Sequence, residues 1–261
     1  MYALVGVSAE LAEQLVAIEA DGEDAVHQAR TRVRRLRGIL SVYKKAFDRE
    51  AERRMRERLK GLGRRLGNVR ELEVRAAGLR ALADGQDVEP VRAAASALAD
   101  RALEQHERAL DDLLHLLRSR GHRELLADLQ QFAADPPLSE PGRDAPKKIA
   151  RKGLKKAVRR VRRSEGDTLE QRHATRKASR RLRYAAEAVG DDLGDRSLRL
   201  ASAAETVQDA LGDNRDLLLL ARHLREAAPD GTLDAVAAAC EARAAEALTG
   251  LDDALAVIEW G

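Results

Sequence analysis

The stretch HQARTRVRRLR, residues 27–37, decides the fold class, because its charged and apolar residues recur at the spacing of an α-helix. At 100° per residue, one imidazole and three guanidiniums fall within roughly 80° of one another. An apolar stripe lies about 110° away from this row. The stretch therefore predicts a helix that buries one face and projects a row of cations from another. The row consists of His27, Arg30, Arg34 and Arg37, and the stripe of Ala29, Val33, Leu36 and Leu40.

A second copy of this pattern, HATRKASRRLR, occupies residues 173–183 and matches the first at six of eleven positions. A further pair follows in the same order, LGNVREL at residues 66–72 and LGDNRDL at residues 211–217. Two matched motifs at nearly one offset predict an internal duplication. The second row consists of His173, Arg176, Arg180 and Arg183, beside a stripe of Ser179, Leu182 and Ala186.

Helical periodicity extends over nearly the whole chain and predicts an all-α fold. Four helices in each half predict two antiparallel four-helix bundles with pseudo-twofold symmetry. The segment TLEQ, residues 168–171, predicts a capping box before the second cationic helix. The predicted helices lie near 8–20, 24–46, 49–83, 89–119 and, as a short one, 122–133 in the first half, and near 147–163, 168–189, 196–227 and 232–258 in the second.

A proline-rich segment divides the chain near its middle. DPPLSEPGRDAP, residues 135–146, holds four of the six prolines, and proline lacks a backbone donor and has a fixed φ. No helix is therefore expected through it. The predicted organisation is a first helical lobe at 1–134, a linker at 135–146 and a second helical lobe at 147–261.

Composition excludes several classes of protein. Aromatic residues make up only 2% of the chain, which argues against a β-sandwich or a β-barrel. Cys240 is the only cysteine, so a disulfide-stabilised secreted scaffold is excluded. No apolar stretch is long enough for a membrane span, and the first basic residue is Arg30, which is unlike a secretory signal. The expectation is a cytoplasmic protein.

The net charge is only +3, but the basic residues are concentrated in two stretches of the chain. Residues 27–65 hold 15 Lys and Arg against 4 Asp and Glu, and residues 143–187 hold 17 against 5. Arginine binds phosphate oxygens two at a time, and a row that repeats every helical turn, about 5.4 Å, suits a repeating polyanion. One alternative remains open, in which carboxylates of neighbouring helices bind the arginines instead.

The paired segments H-x-x-R-x-x-x-R-R-L-R, each followed by L-G-x-x-R-[DE]-L, resemble the two halves of a CHAD domain over nearly the whole chain. The resemblance implies that both lobes form one CHAD-like domain, with two four-helix bundles around a basic central cavity. It also implies non-catalytic binding of inorganic polyphosphate and association with polyphosphate granules. The residues it assigns to the cavity are His27, Arg30, Arg34, Arg37, His173, Arg176, Arg180 and Arg183.

Residues 147–163, KKIARKGLKKAVRRVRR, hold ten Lys and Arg and no acid. Three interpretations are open: a wall of the polyanion cavity, a helix on an anionic membrane surface, or a solvated face. The candidate binding residues here are Lys148, Lys152, Lys155, Arg159 and Arg162. Further candidates, beside the first cationic helix, are Lys60, Arg64 and Arg65.

Two other functions are weighed against polyphosphate binding. Basic helices also suit a nucleic-acid backbone, although the scarcity of aromatic residues argues against binding single strands by base stacking. A phosphohydrolase would need carboxylates to hold Mg²⁺, and neither cationic row carries an acidic cluster. The sequence predicts no catalytic residues, no metal site and no cofactor.

Overall fold

The computed structural model describes residues 2–260, and the side chains of all of these except Tyr2, Asp191 and Asp192. Regular structure within this range is helical, apart from an isolated antiparallel bridge between Phe47 and Leu138. The predicted all-α fold is confirmed. None of the described helices is long and apolar enough to cross a membrane.

Contacts divide the chain into two compact units. The first comprises the residues up to Leu40 together with Lys44–Asp144, and the second comprises Ser41–Tyr43 and the residues from Ala145 onward. The helices of the first unit are α1 Tyr2–Glu19, α2 Ala25–Val42, α3 Arg49–Asp84, α4 Glu89–Leu117, α5 Arg120–Ala134 and α6 Glu140–Asp144. The helices of the second unit are α7 Pro146–Arg162, α8 Leu169–Ala188, α9 Gly190–Leu193, α10 Asp195–Ala227, α11 Asp234–Glu246 and α12 Leu251–Val257.

In the first unit the long helices α3 and α4 pack along each other, and α1 packs against α5. Helix α3 begins after Asp48, whose carboxylate accepts hydrogen bonds from the amides of Glu50 at 3.1 Å and Ala51 at 2.9 Å. This cap satisfies two of the amides that a helix start leaves unpaired. Leucines at helical spacing fill the core, among them Leu59, Leu66, Leu79 and Leu113, which are fully buried.

In the second unit α10 is central and packs against α8, α11 and α12, while α7 packs against α8. The predicted capping box before α8 is confirmed. Gln171 donates its backbone N–H to the Thr168 hydroxyl, and its side chain accepts from the Thr168 amide, both at 3.2 Å. The cap fixes where α8 starts and so sets the position of the second cationic row along it.

Three predicted helix boundaries are wrong. Helix α1 begins near residue 2 rather than near residue 8, and the helix expected to reach residue 46 ends at Val42 and is followed by the short 3₁₀ helix Lys44–Ala46. The helix expected over 232–258 is two helices, α11 and α12, separated at Gly250. Helix α11 ends at Glu246, and Gly250, which precedes α12, has φ 78°, a left-handed conformation that glycine adopts without strain.

The proline-rich segment, residues 135–146, contains a helix that the sequence analysis did not expect. Pro141 lies at the second position of α6, where a missing N–H leaves no helical hydrogen bond unmade. The Ser139 hydroxyl donates to the carbonyl of Lys45 at 2.8 Å, and the Ser139 amide donates to that of Ala46 at 3.0 Å. These bonds attach the segment to the chain after α2, within the first unit.

Candidate functional site

The first cationic row lies on α2 as the periodicity predicts. The apolar stripe of Ala29, Val33, Leu36 and Leu40 is at most 1% exposed. The residues of the row, His27, Arg30, Arg34 and Arg37, are all half-buried. Half-burial of guanidiniums strengthens their interaction with an anion, because less water screens the charge. Arg34 makes no hydrogen bond or ion pair with any other described residue.

The cationic row of α2 lies against α3 at two glycines, Gly63 and Gly67. A β-carbon placed on Gly67 would lie 3.8 Å from Nε of Arg30, and one placed on Gly63 would lie 3.9 Å from Nη1 of Arg37. Both glycines are inside α3, so neither ends a helix. The absence of side chains at these positions lets the two guanidiniums lie close to the helix backbone.

The second unit repeats this arrangement. A β-carbon on Gly212 of α10 would lie 3.2 Å from Nε of Arg176, on α8, and the stripe of Ser179, Leu182 and Ala186 is fully buried. Arg30 and Arg176 are matching positions of the first repeat motif, and Gly67 and Gly212 are matching positions of the second. The two motifs therefore meet in the same way in each unit, which supports the proposed internal duplication.

The imidazole of His27 lies in a cationic environment. Burial lowers its pKa below the ordinary value of 6.5, and Arg70, Arg30 and Arg34 lower it further, against the opposing charge of Asp24. A charged imidazole is disfavoured here because it would add a cation to three others with little water to screen it. The neutral form of His27 is therefore favoured in the free protein.

His173 is in the same situation in the second unit. Burial lowers its pKa, and so do the charges of Lys177, Arg215, Arg176 and Arg180. Its Nδ1 atom is buried and has no hydrogen-bond partner within the described part of the chain. Each imidazole is thus close to two arginines of its own row and to one arginine from another helix.

Those third arginines, Arg70 on α3 and Arg215 on α10, were not among the predicted site residues. Arg70 pairs with Glu73 at 2.7 Å and with Asp24 at 3.5 Å, and Arg215 pairs with Asp216 at 2.9 Å. Both occupy the same position of the L-G-x-x-R motif, four residues, about one helical turn, after the leucine that opens it. That repeat was the signal that could have identified them.

Carboxylates already bind several of the predicted residues. Arg183 is held by Glu187 at 2.9 Å and by Glu205 at 2.8 Å, and its guanidinium lies 5.6 Å from the centre of the Tyr184 ring. For this residue the alternative of carboxylate pairing is therefore present in the structure. Arg176 is 4.0 Å from Asp216.

Exposed ion pairs involve two more candidates. Arg162 pairs with Glu165 at 3.3 Å and with Glu259 at 2.5 Å, and Lys60 pairs with Glu57 at 3.0 Å. Such exposed pairs contribute little to stability, about 0–1 kcal/mol, so a polyanion can displace the carboxylates.

The basic helix α7 has no apolar face available to a membrane. Its apolar stripe of Ala150, Leu154, Val158 and Val161 is at most 2% exposed and packs in the core of the second unit. Insertion of this stripe into a lipid surface would require the unit to open. The cationic face remains accessible, because Lys148, Lys152 and Arg159 are exposed and Lys155 is half-buried.

Metal ligands do not gather around either row. Among the described residues, no group of three or more His, Cys, Asp or Glu side chains is placed to hold a metal ion. The chemistry of both rows is therefore that of clustered guanidiniums and imidazoles, which suits anion binding.

Comparison with known proteins gives one family and two similar solved structures. The family model described as the CHAD domain matches residues 7–225. PptA from Streptomyces chartreusis superimposes with a TM-score of 0.74 at 19% identity, over 98% of this chain and 95% of that chain. The CHAD domain from the plant Ricinus communis gives a TM-score of 0.67 at 20% identity, over 98% of this chain and 88% of that chain.

The similar curated sequences are two uncharacterized proteins of Mycobacterium tuberculosis, from strains CDC 1551 and H37Rv. Both are 30% identical to this chain over 197 residues. The match covers 70% of this chain and 38% of the length of each relative.

Proposed function

The chain belongs to the CHAD domain family, and from that premise we propose that it binds inorganic polyphosphate without catalysing its hydrolysis. The observation that carries the proposal is the repeated cluster of one imidazole with three arginines. It occurs around His27 in the first unit and around His173 in the second.

The mechanism is electrostatic. Each guanidinium binds two oxygens of a phosphate through parallel N–H donors, and consecutive residues of a row are one helical turn apart. Half-burial limits the water that screens these contacts. A bound chain of phosphates adds negative charge beside each imidazole and raises its pKa, so that His27 and His173 become protonated donors on binding.

The proposed binding residues differ in what binding requires of them. Arg34 has no described partner to give up, whereas Arg183, Arg162 and Lys60 must exchange carboxylates for phosphate oxygens. The proposed set is His27, Arg30, Arg34, Arg37, His173, Arg176, Arg180, Arg183, Lys148, Lys152, Lys155, Arg159, Arg162, Lys60 and Arg64, and we add Arg70 and Arg215. The basic central cavity that the family resemblance implies stays a prediction, as does a cytoplasmic location on polyphosphate granules.

A competition experiment tests the proposed ligand against nucleic acid. Labelled long-chain polyphosphate is bound to the protein, and unlabelled polyphosphate or duplex DNA is added at equal phosphate concentration and salt. We expect polyphosphate to compete at least about 10-fold better, because its phosphates are adjacent and unshielded whereas those of a duplex lie on two strands around bulky bases. Equal competition by the duplex would favour a nucleic-acid backbone as the ligand.

Binding should depend on pH through the two imidazoles. Their pKa values lie below 6.5 in the free protein, and a bound polyanion raises them, so binding takes up protons. Affinity is therefore highest below the pKa of the free protein and falls as pH rises toward the pKa of the complex. Calorimetry near pH 6.5 in buffers of different ionisation enthalpy measures this uptake.

The matched control for the pH effect is the double variant His27→Gln, His173→Gln. It should bind with much less proton uptake, and its affinity should approach that of the parent as pH rises above the pKa of the complex, where the imidazoles of the parent are neutral. Equal proton uptake by parent and variant would show that other groups cause the pH dependence.

A further inference from the structure

A second basic site lies in the first unit, between α3 and the turn that joins α4 to α5. There the helices leave a cleft of about 740 Å³. Its polar lining comes from Arg58, Arg64, Arg65 and Asn68 on α3 and from Ser119 and His122 at the start of α5.

This cleft is on the opposite side of α3 from the first cationic row. At 100° per residue, the α3 residues that line it are centred roughly 170° from Gly63, Gly67 and Arg70. Those three residues are the ones that meet the row of α2. The cleft is therefore separate from the cluster around His27.

The positive charge of the cleft is only partly compensated. Arg58 pairs with Asp128 and donates a hydrogen bond to the carbonyl of Gly121 at 3.4 Å. Arg64 and Arg65 are exposed and make no ion pair or hydrogen bond with the other described residues. Both residues line the cleft, so their guanidiniums are available to a ligand there.

The start of α5 adds backbone donors to this charge. Helix α5 has 15 residues, and the Ser119 hydroxyl accepts from the amide of His122 at 3.2 Å. The other amides of the first turn, which this cap leaves unpaired, carry the partial positive charge of a helix N-terminus. Gly121, in this turn, lines the cleft, and a β-carbon there would meet nothing within 4 Å.

His122 is the observation that points to a ligand. It is only 6% exposed and lines the cleft, yet its ring has no hydrogen bond to any described residue. Burial lowers its pKa, and the charge of Glu19, at the end of α1, opposes this change. Its ring nitrogens are therefore paired with no described residue and are available for a hydrogen bond to a ligand in the cleft.

We propose that this cleft binds a phosphate group, held by Arg64, Arg65, His122 and the first turn of α5. Paired guanidiniums and a helix N-terminus are the donors that phosphate oxygens take in proteins. The phosphate is either free orthophosphate or the end group of a phosphate chain, since both present the same charged oxygens. The site shares Arg64 with the proposed polyphosphate-binding set. It goes beyond the proposed function because it uses no residue of either cationic row.

The test uses orthophosphate and tripolyphosphate as probes and the ring signals of His122 in NMR spectra of the whole protein. The protein carries Arg34→Glu and Arg180→Glu, so that the cationic rows do not compete for the probes. Orthophosphate should shift the His122 signals in a saturable way and raise the pKa of this ring. A stronger response to tripolyphosphate identifies chain ends as the ligand, and a response to orthophosphate alone identifies the free ion.

Two further substitutions separate binding from folding. Gly121→Asp puts a carboxylate in open space at the start of α5, where it favours the helix but repels an anion. Arg65→Gln removes one charged donor and should weaken binding about 10-fold. Arg54→Gln, an exposed substitution on α3 outside the cleft, is the control with the same loss of charge.

The proposal requires that Gly121→Asp abolish the His122 response without lowering the melting temperature. It is overturned if the His122 signals do not respond to either probe, or if Gly121→Asp and Arg65→Gln respond like Arg54→Gln. In the otherwise unmodified protein, Gly121→Asp should leave binding of long-chain polyphosphate to the rows intact. If the Arg34→Glu, Arg180→Glu variant loses long-chain polyphosphate but keeps the His122 response, this proposal stands. The two functions can therefore fail independently.

Discussion

Long-chain polyphosphate should no longer bind measurably when Arg34→Glu and Arg180→Glu are combined. Arg34 and Arg180 hold matching positions in the two rows, and their charges act on His27 and His173. Each reversal removes a charged donor, which contributes about 1.5–3 kcal/mol, and adds a repulsion. The combined loss corresponds to about 10²–10⁴-fold in affinity. Fluorescence anisotropy with labelled polyphosphate measures it.

The control for this variant also replaces two arginines by glutamates, but at positions outside the two rows. Arg101→Glu and Arg199→Glu lie on α4 and α10, one in each unit, and both arginines are exposed. This control should bind polyphosphate within a few-fold of the parent, and both variants should keep the helical circular-dichroism spectrum. The site assignment is wrong if the Arg34 and Arg180 variant binds as well as the control.

The second large effect is the loss of affinity with added salt. A polyanion that contacts six or more cationic side chains displaces a similar number of counterions, by analogy with nucleic acids. Six contacts at about 0.7 counterions each should lower the affinity at least about 300-fold between roughly 50 and 200 mM salt. Titration of polyphosphate at several NaCl concentrations gives the slope of log K against log salt.

The size of that slope separates a polyanion site from a site for a small anion. A slope steeper than about −4 agrees with six or more phosphate contacts at about 0.7 counterions each. The Arg101 and Arg199 variant should retain this slope, since both arginines are exposed and neither belongs to a row. A slope near −1 would show that a single phosphate accounts for binding and would contradict the proposed role of the rows.

The helices and their buried faces follow from local patterns. The stripes of α2 and α8 recur at the helical period, and both are buried as expected, including the hydroxyl residue Ser179. The capping box at Thr168 was recognisable because it depends on residues within one helical turn. Boundaries were less predictable, because the periodicity of the neighbouring residues does not reveal the break at residues 247–250, where a left-handed Gly250 precedes α12.

The candidate site was predictable only in part. His27 and His173 were recognised together with their rows, because every member lies on one helix. The arginines of the second motif, Arg70 and Arg215, were not among the predicted site residues. They act on the imidazoles from a different helix, and the distance between two helices does not follow from spacing along the chain.

The amino-acid order alone therefore determines which residues share a helical face, since that depends only on 3.6 residues per turn. It identifies the two cationic rows, their apolar stripes and the repeat that relates them. The three-dimensional packing decides which charges are compensated: Glu205 reaches Arg183 from another helix, whereas Arg34 has no described partner. It also creates the cleft at His122, because side chains from α3 and α5 become neighbours only when those helices pack.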